Sequence, residues 1–445
     1  MSIHIVPHDS SWYSQFLAAA EEIRRACSAI ALLLFHIGST SISGLAAKPV
    51  IDILGEVEDL DDIDACRGSL VTLGFDPLGE FGMVQRRFFK RLPMPDFPCA
   101  IHLHVFAAGD PQIERHLRFR DYLRAHPSEA KKYEELKQSL ASVFTNDREG
   151  YNEGKNSQVQ ELDRKALLWP SAPAHPHLNP IPRLKKWTKA KILDSMEANL
   201  YFHMTHLVRY VPDAEFFGRN SLSWVSTPVS DDTFNYALHA HLQPQETDFW
   251  IEHTISYYQS KNLPFSWWIK PSDEPKNLSE RLRERGFVLS ELHKGMFAEI
   301  QHLPQLSHSL NIERILTPES LFDFCSIAQQ LGLSKELYSR VWKQIPPSLY
   351  QKGTPIEIYV GYANGIPAVS GLLAFYGRVA GIYWIATIPT ERGKGHASEM
   401  MRFLLQRAFQ EKYQIAVLLA SSVGEKLYRK FGFSFLADFY EYRKG

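Results

Sequence analysis

The sequence predicts an α/β (α+β) chain of several domains, and three observations predict it. Apolar runs of strand length alternate with amphipathic stretches of helical period. The order strand, helix, Gly-Phe, strand occurs twice, at Phe265–Ile300 and at Ile415–Arg443. The chain has 445 residues, too many for one hydrophobic core and enough for two to four domains.

Formal net charge is −1, so no bulk electrostatic pull towards nucleic acid or membrane is expected. Cys27, Cys66, Cys99 and Cys325 are scattered without a C-x-x-C pair. That argues against a disulfide framework or a zinc site and suits a reducing cytoplasm. No signal pattern opens the chain, and no apolar stretch approaches the ~20 residues of a membrane span. The expectation is a cytoplasmic protein.

Taken in order, His8–Ile30 reads as a helix with Trp12, Phe16, Leu17, Ala20 and Ile23 on one face. Ile30–His36 and Val50–Gly55 read as buried strands. On the second, Val50, Asp52 and Leu54 share one face, and Ile51 and Ile53 the other. Asp52 amid apolar neighbours needs a partner or a cation. It either serves a site, accepts hydrogen bonds from the Ser39/Thr40 loop, or pairs with Lys48. His102 and His104 project from one strand face. With Asp52 they either hold a divalent metal or line a pocket as hydrogen-bonded histidines. Arg86, Arg87 and Lys90 are donors for a phosphate or a solvated strand edge. Two helices broken at Pro127 and a third at Gln158–Leu168 complete this region. Trp169–Arg183 carries five prolines and marks a boundary. The basic cluster Lys185, Lys186, Lys189 and Lys191 lacks a companion basic face, so no nucleic acid is expected.

The segments HIGSTSISGLAAKPVIDI (36–53), HLHVF (102–106) and FRDYLRAHP (119–127), with Tyr151 and Lys155, resemble the GrpB family over about the first 170 residues. The resemblance implies a nucleotidyltransferase-like mixed-sheet fold. Such folds carry a Gly-Ser loop, here Gly38-Ser39, and a D-x-[DE] carboxylate pair for metal. Asp52 is present, but Leu54 stands at the second position, so two-metal phosphoryl chemistry is not expected. Ser39, Thr40, Lys48, Asp52, Arg87, His102 and His104 are the candidate pocket for a phosphate-containing ligand. Asp52, His102 and His104 are the candidate ligands for one divalent metal.

In the C-terminal part, Ile382–Ile388 reads as a strand that Pro389 stops. Arg392-Gly393-Lys394-Gly395-His396-Ala397 follows, then a helical pattern through Met400, Met401, Leu404, Leu405 and Ala408. A strand, a glycine-rich loop and a helix N-terminus form an anion site. Ile415–Ala420 is a second strand, and Glu425–Phe433 a short helix ending at Gly432. Upstream, Asn364-Gly365 between apolar runs signals a hairpin.

Arg392, Gly395 and Ala397 match the [QR]-x-x-G-x-[GA] motif, and Tyr428 precedes Gly432-Phe433, so the last ~140 residues resemble the GNAT acyltransferase superfamily. The resemblance implies acetyl-CoA as co-substrate and an amine as acceptor. It also implies a pyrophosphate cradle at Arg392, Gly393, Lys394, Gly395, His396 and Ala397. Backbone N–H groups near Ile385 and Thr387 would polarise the thioester carbonyl, and Tyr428 would be the proton donor to the leaving thiolate. Otherwise Tyr428 packs under the Gly-Phe turn. Glu357, Glu391, Glu399 or water would act as general base.

The earlier repeat lacks both the motif and a tyrosine, having Leu282 four residues before Gly286. It reads as a degenerate copy whose aromatics (Trp224, Trp250, Trp267, Trp268, Tyr257, Tyr258) form core or line an acceptor pocket. The expected domains are therefore 1–170, a linker at 171–187, a degenerate module at 188–303 and an acetyltransferase module at 304–445, with His302–His308 joining the copies. Two other readings stay open: an acetyl-CoA- or nucleotide-binding regulator without turnover, and nucleotidyl transfer in the first domain.

Overall fold

A computed structural model describes residues 3–178, 187–218, 221–301, 310–351 and 354–444. The chain divides into two compact units, Met1–Ile181 and Pro182–Gly445. The segment joining the two repeats, and Lys185 and Lys186, lie outside the described residues.

The first unit is a mixed sheet covered on both faces. Its strands are β1 (Leu32–Ile37), β2 (Val50–Val57), β3 (Asp76–Pro77), β4 (Arg87–Arg91) and β5 (Ala100–Ala107), in the order β1-β2-β5-β4-β3. Only β2 and β5 run parallel, with Asp52 directly opposite His102. Helices α1 (Ser11–Ala26), α2 (Leu60–Ala65) and α3 (Arg67–Thr72) cover one face. Trp12, Phe16 and Ile23 of α1 pack there against Ile51, Ile53, Ile101 and Leu103. Leu17, expected on the buried stripe, is 47% exposed, and Ala19 takes its place. The other face carries Asp52, Leu54, His102 and His104. Helices α4 (Pro111–Ala125), α5 (Pro127–Val143), α6 (Arg148–Gly154) and α7 (Asn156–Leu168) complete the unit. Pro127 separates α4 from α5 as expected, because its ring cannot continue a helix. The proline-rich segment does not leave at once. Buried Glu56 accepts from His177 Nδ1 and from the Leu178 N–H, both at 2.9 Å.

The second unit begins with α8 (Lys189–Thr205), β6 (Glu215–Gly218), β7 (Ser223–Ser226), β8 (Tyr236–Leu238), α9 (Thr247–Ser260), β9 (Ser266–Ile269), α10 (Leu278–Glu284) and β10 (Phe287–Glu299). Its second copy has β11 (Asn311–Arg314), α11 (Pro318–Gln329), α12 (Lys335–Arg340), β12 (Ile356–Ala363), β13 (Ile366–Tyr376), β14 (Val379–Thr387), α13 (His396–Gln410), β15 (Ile415–Ala420), α14 (Glu425–Arg429) and β16 (Ser434–Lys444). The hairpin β12–β13 turns at Asn364 and Gly365, both at positive φ, as a two-residue primed turn requires.

The copies are not separate modules. Among the described residues eleven strands form one sheet, ordered β11-β12-β13-β14-β15-β10-β16-β9-β8-β7-β6. Each copy's last strand lies beside the other copy's penultimate one: β10 pairs with β15, and β16 with β9. The expected boundary at 303/304 thus divides the chain but not the sheet. The aromatics of the first copy are mainly core. Trp224, Trp250, Trp267 and Tyr258 are buried together with Leu278 and Leu282 of α10. No described helix is long and apolar enough to cross a membrane.

Candidate functional site

In the second copy β14 and β15 run parallel but pair only at Ala380↔Ala416 and Gly381↔Val417. Beyond these pairs the strands part. On its other edge β14 slips register against β13 between Ser370 and Leu372, and Trp384 in the slip has φ +56°. A non-glycine residue there is strained and held by its surroundings. The result is a bulged strand whose segment Ile382–Thr387 is unpaired on the β15 side. Ile385 and Thr387 lie on it, as the sequence implied.

The loop after β14 leaves its backbone open. Gly393 and Gly395 have φ of +80° and +90°, and a Cβ built on either meets nothing within 4 Å. The backbone is thus open to close approach by a ligand. Gly395 is the N-cap of α13, and its carbonyl takes the Ser398 and Glu399 N–H groups. The N–H groups of His396 and Ala397 have no acceptor among the described residues, so they are free for an anion. Met400, Met401, Leu404, Leu405 and Ala408 of α13 are buried against β13 and β14, which fixes the helix end that presents those groups.

Side chains around the loop differ from expectation. Glu391 accepts from Lys394 Nζ at 2.8 Å and from His396 Nε2 at 3.0 Å. These bonds, Lys394 first, hold its carboxyl below the ordinary range. Glu391 staples the loop and is not a free base, and Lys394 spends its charge there. Arg392 Nε donates to the Thr387 carbonyl at 3.3 Å. The other candidate bases are also occupied. Glu357 is buried between Arg314, Arg407 and Tyr359, and Glu399 accepts the Leu310 N–H. No carboxylate among the three candidates is left for the amine.

Tyr428 lies on α14, 9% exposed, with its ring over Gly424, where a Cβ would come within 2.9 Å of Cε2. Burial pushes its pKa up to about 12, so the phenol keeps its proton at neutral pH. Its hydroxyl makes no hydrogen bond among the described residues. Packing and proton donation are thus compatible at this residue.

The first copy supplies a support that the sequence did not reveal. Asn199 of α8 is fully buried; its Nδ2 donates to the carbonyls of Ala374 and Tyr376 at 2.9 and 2.8 Å, and to that of Val379 at 3.2 Å. Its Oδ1 accepts from the Tyr383 hydroxyl at 2.9 Å. His203, one turn on, stacks on Tyr383 at 3.8 Å. A Cβ at Gly381 would lie 1.9 Å from Asn199 Oδ1, so only glycine fits there. Trp384, Trp342 and Phe324 of the second copy meet Phe234 of the first in an aromatic cluster at the bulge. Lone polar and aromatic residues far apart in the chain give no periodic signal.

The equivalent groove of the first copy is closed. Strands β8 and β9 also pair at two positions, Tyr236↔Ser266 and Ala237↔Trp267, and His239 just beyond has φ +58°. But Glu274 then rejoins the strands, donating its N–H to the Ala240 carbonyl and accepting from the Leu242 N–H. Beside it Lys270 pairs with Glu197 and Asp273, both largely buried.

In the first unit Asp52, His102 and His104 do converge. Asp52 Oδ1 lies 3.3 Å from His102 Nδ1 and 3.6 Å from His104 Nε2. Its Oδ2 would be 2.3 Å from a Cβ at Gly38, so glycine is needed where the loop crosses Asp52. Burial would raise the Asp52 carboxyl, but His102 and His104 outweigh it and hold it below the carboxylate range. Lys48 is not its partner. The metal assignment meets a difficulty at His104. Its Nδ1 lies 3.2 Å from Arg86 Nη1, and a guanidinium can only donate. Nδ1 therefore accepts, and the neutral ring carries its proton on Nε2, the atom facing Asp52. A metal-bound histidine needs the reverse, a bare inner nitrogen and a donating outer one. The arrangement fits a hydrogen-bonded carboxylate and does not fit a three-ligand metal centre.

Arg87 is corrected too. It leaves the pocket and binds Asp64 with Nε, at 2.8 and 3.0 Å. Strand alternation puts Arg86 and Phe88 on the His104 face and Arg87 with Phe89 on the other. Ser39 and Thr40 are held: Ser39 Oγ accepts from Lys137 Nζ at 3.0 Å, and Thr40 Oγ1 donates to the Val50 carbonyl at 2.9 Å.

Comparison with known proteins agrees with both halves of this description. The family model for an acetyltransferase (GNAT) domain matches residues 376–436, which places the bulged strand and its loop in a GNAT acetyltransferase domain. Through its N-terminal unit, the chain belongs to the GrpB family, whose model matches residues 2–165. The UPF0157 protein YqkA of Bacillus subtilis is 35% identical over 167 residues, 38% of this chain and 48% of that protein. This chain thus spans about half the length of that relative. A UPF0157 protein of Pseudomonas aeruginosa is 38% identical over 174 residues, 39% of this chain and 70% of its own. A GCN5-related N-acetyltransferase from Kribbella flavida aligns with 56% of this chain and 95% of its own, at 13% identity and TM-score 0.44.

Proposed function

We propose that the C-terminal unit is an acetyl-CoA-dependent N-acetyltransferase with one working site, in the second copy, acting on a small-molecule amine. The observation that carries this reading is the parting of β14 from β15 directly above two glycines and the free N–H groups of α13. The same place in the first copy is rejoined by Glu274. Acetyl-CoA, when bound, supplies an activated acetyl thioester. Gly393–Ala397 cradle its pyrophosphate through backbone N–H groups and the helix dipole. The unpaired edge of β14 near Ile385 and Thr387 polarises the carbonyl. Tyr428 holds the proton that the departing sulfur takes up. With Glu357, Glu391 and Glu399 all engaged, bulk or bound water deprotonates the amine. Release of free thiol over a panel of amines, with native mass spectrometry for bound CoA species, tests the reading. Absence of both bound CoA and thiol release would refute it. Bound CoA without turnover would favour a regulatory acetyl-CoA sensor.

For the N-terminal unit we infer a ligand-binding role towards a phosphate-bearing molecule, in a nucleotidyltransferase-like fold and a cytoplasmic protein. Leu54 in place of a second carboxylate weighs against nucleotidyl transfer, and buried Glu56, engaged by His177, does not replace it.

A further inference from the structure

In the first unit Asp52 and His102 of the histidine cluster also border a cavity whose other wall is basic. This cavity, of about 190 Å³, lies between the loop before β2, helix α5 and the two ends of α6. Lys48, Lys137, Arg148 and Lys155 line it, with Asp52 as its one carboxylate. None of the four cations makes an ion pair among the described residues, and Asp52 is already engaged by the histidines.

Three of the cations are held by hydrogen bonds and ring contacts, without an ion pair among the described residues. Lys137 is 3% exposed. Its Nζ donates to Ser39 Oγ at 3.0 Å and to the Ala46 carbonyl at 2.7 Å. Lys48 Nζ and Lys155 Nζ lie 3.8 and 5.1 Å from the centre of the buried Tyr151 ring. Arg148 is exposed at the rim. Four cations around so small a space repel one another in a medium that screens poorly. Burial, with the neighbouring cations, pushes Lys48 down to about 8 and Lys137 down to about 7. A fold that assembles four cations around a single, already engaged carboxylate is matched by an anion of more than one charge. Ammonium point charges beside a guanidinium fork suit tetrahedral phosphoryl oxygens. The cavity has room for a phosphate or diphosphate group, and the rest of a ligand would leave past Arg148.

We propose that this cavity is a metal-independent binding site for a terminal phosphate or diphosphate group, held by Lys48, Lys137, Arg148 and Lys155. The proposal rests on the phosphate-ligand reading of the N-terminal unit and adds the residues, the charge and the absence of a metal requirement.

The test uses the full chain carrying Gly395→Glu, which removes the other anion cradle. Inorganic pyrophosphate, inorganic phosphate and sulfate are titrated calorimetrically in the presence of a chelator. The expected result is one site, with pyrophosphate bound at least about tenfold more tightly than the singly tetrahedral anions. Arg148→Ala and Lys155→Ala should each weaken pyrophosphate by about tenfold or more. Neither should lower the melting temperature of the unliganded protein, because each removes a repelling charge. If none of the anions binds, both the cavity assignment and the phosphate-ligand reading fall. If pyrophosphate binds equally well to both variants, or only when a divalent metal is restored, the ligand reading survives and the cavity assignment is overturned. Arg148 is exposed, so its variant folds and keeps the test decisive.

Discussion

Replacing Asn199 by alanine probes whether the degenerate copy holds the working strand in shape. The side chain is fully buried, donates to three carbonyls at the end of the β13–β14 hairpin and receives the Tyr383 hydroxyl. Alanine orphans that hydroxyl and those carbonyls and leaves a cavity three heavy atoms in size. An orphaned buried polar group costs about 1–3 kcal/mol, and the small cavity adds to it. We expect a loss of about 3 kcal/mol, or about 6–12 °C in the melting temperature of a unit this large. The active-site consequence is separate. Tyr383 adjoins the bulge at Trp384, and a misplacement of about 1 Å near the reacting carbonyl costs up to about a hundredfold in rate. Turnover should therefore fall by about ten- to a hundredfold, while acetyl-CoA affinity, set by Gly393–Ala397, changes little. Adding Tyr383→Phe removes the orphaned hydroxyl and should restore about 1 kcal/mol. Calorimetric melting, acetyl-CoA titration and thiol release on the parent and the two variants check this. A melting shift under about 2 °C with unchanged turnover would show that α8 does not hold the bulge.

Other expectations follow from single residues. Gly395→Glu should abolish acetyl-CoA binding, because its carboxylate enters open space where the pyrophosphate belongs; calorimetry reads this directly. Tyr428→Phe should lower turnover by about 10²–10⁴-fold with acetyl-CoA affinity unchanged, and a rate within about twofold of the parent would return Tyr428 to packing alone. In the first unit His36 is buried, with Nε2 on Thr40 and no partner at Nδ1, and burial pushes its pKa down to about 4. Its unfolded form takes a proton near 6.5, so stability should fall as pH drops below that value. The full loss, about 3 kcal/mol, is reached below pH 4. Melting curves from pH 7 to 4 should flatten in His36→Asn.

The parts of this fold that were legible in the sequence are those with a local cause. Asn364-Gly365 makes a primed turn wherever it lies between strands, and Pro127 stops a helix by its own ring. The strand Ile415–Ala420 and the helix Leu278–Glu284 match the observed bounds because their apolar positions meet a core nearby. Strand β10 was legible only at its end, from Gly295. Its earlier part alternates Val288, Leu289 and Leu292 with charged residues, and all three are at least 40% exposed. What makes it a strand is pairing with β16, some 150 residues away, and no local pattern records that. The open backbone of the glycine loop was legible from Gly393 and Gly395, but the engagement of Glu391 was not, since its partners Lys394 and His396 look equally like ligands for phosphate. The choice of Arg87 over Arg86 failed because Phe88 and Phe89 are both apolar, so alternation alone does not say which face is core. Lys48, Lys137 and Lys155 lie far apart in the chain and converge only in three dimensions.

On the function proposed above, the exchange of last strands gives the first copy a structural role in the other copy's groove. In the sheet, β15, one wall of the open groove, has β10 of the first copy as its other neighbour. The opposite wall, β14, is pinned from one side of the bulge by Asn199 and His203 of the first copy. Both walls of one groove are thus held by the copy whose own groove Glu274 and the Lys270 pair have closed. A closed groove has no ligand to admit, so its residues are free to pack, and the buried aromatics at Trp224, Trp250 and Trp267 do so. The open groove cannot brace itself in that way, because packing across it would fill the space that a bound thioester would need. Rigidity and openness conflict within one module and are divided here between two. It follows that residues 304–445 alone would expose the edge of β15 and leave β16 without β10 or β9. An isolated second copy should lose its fold before it loses its site.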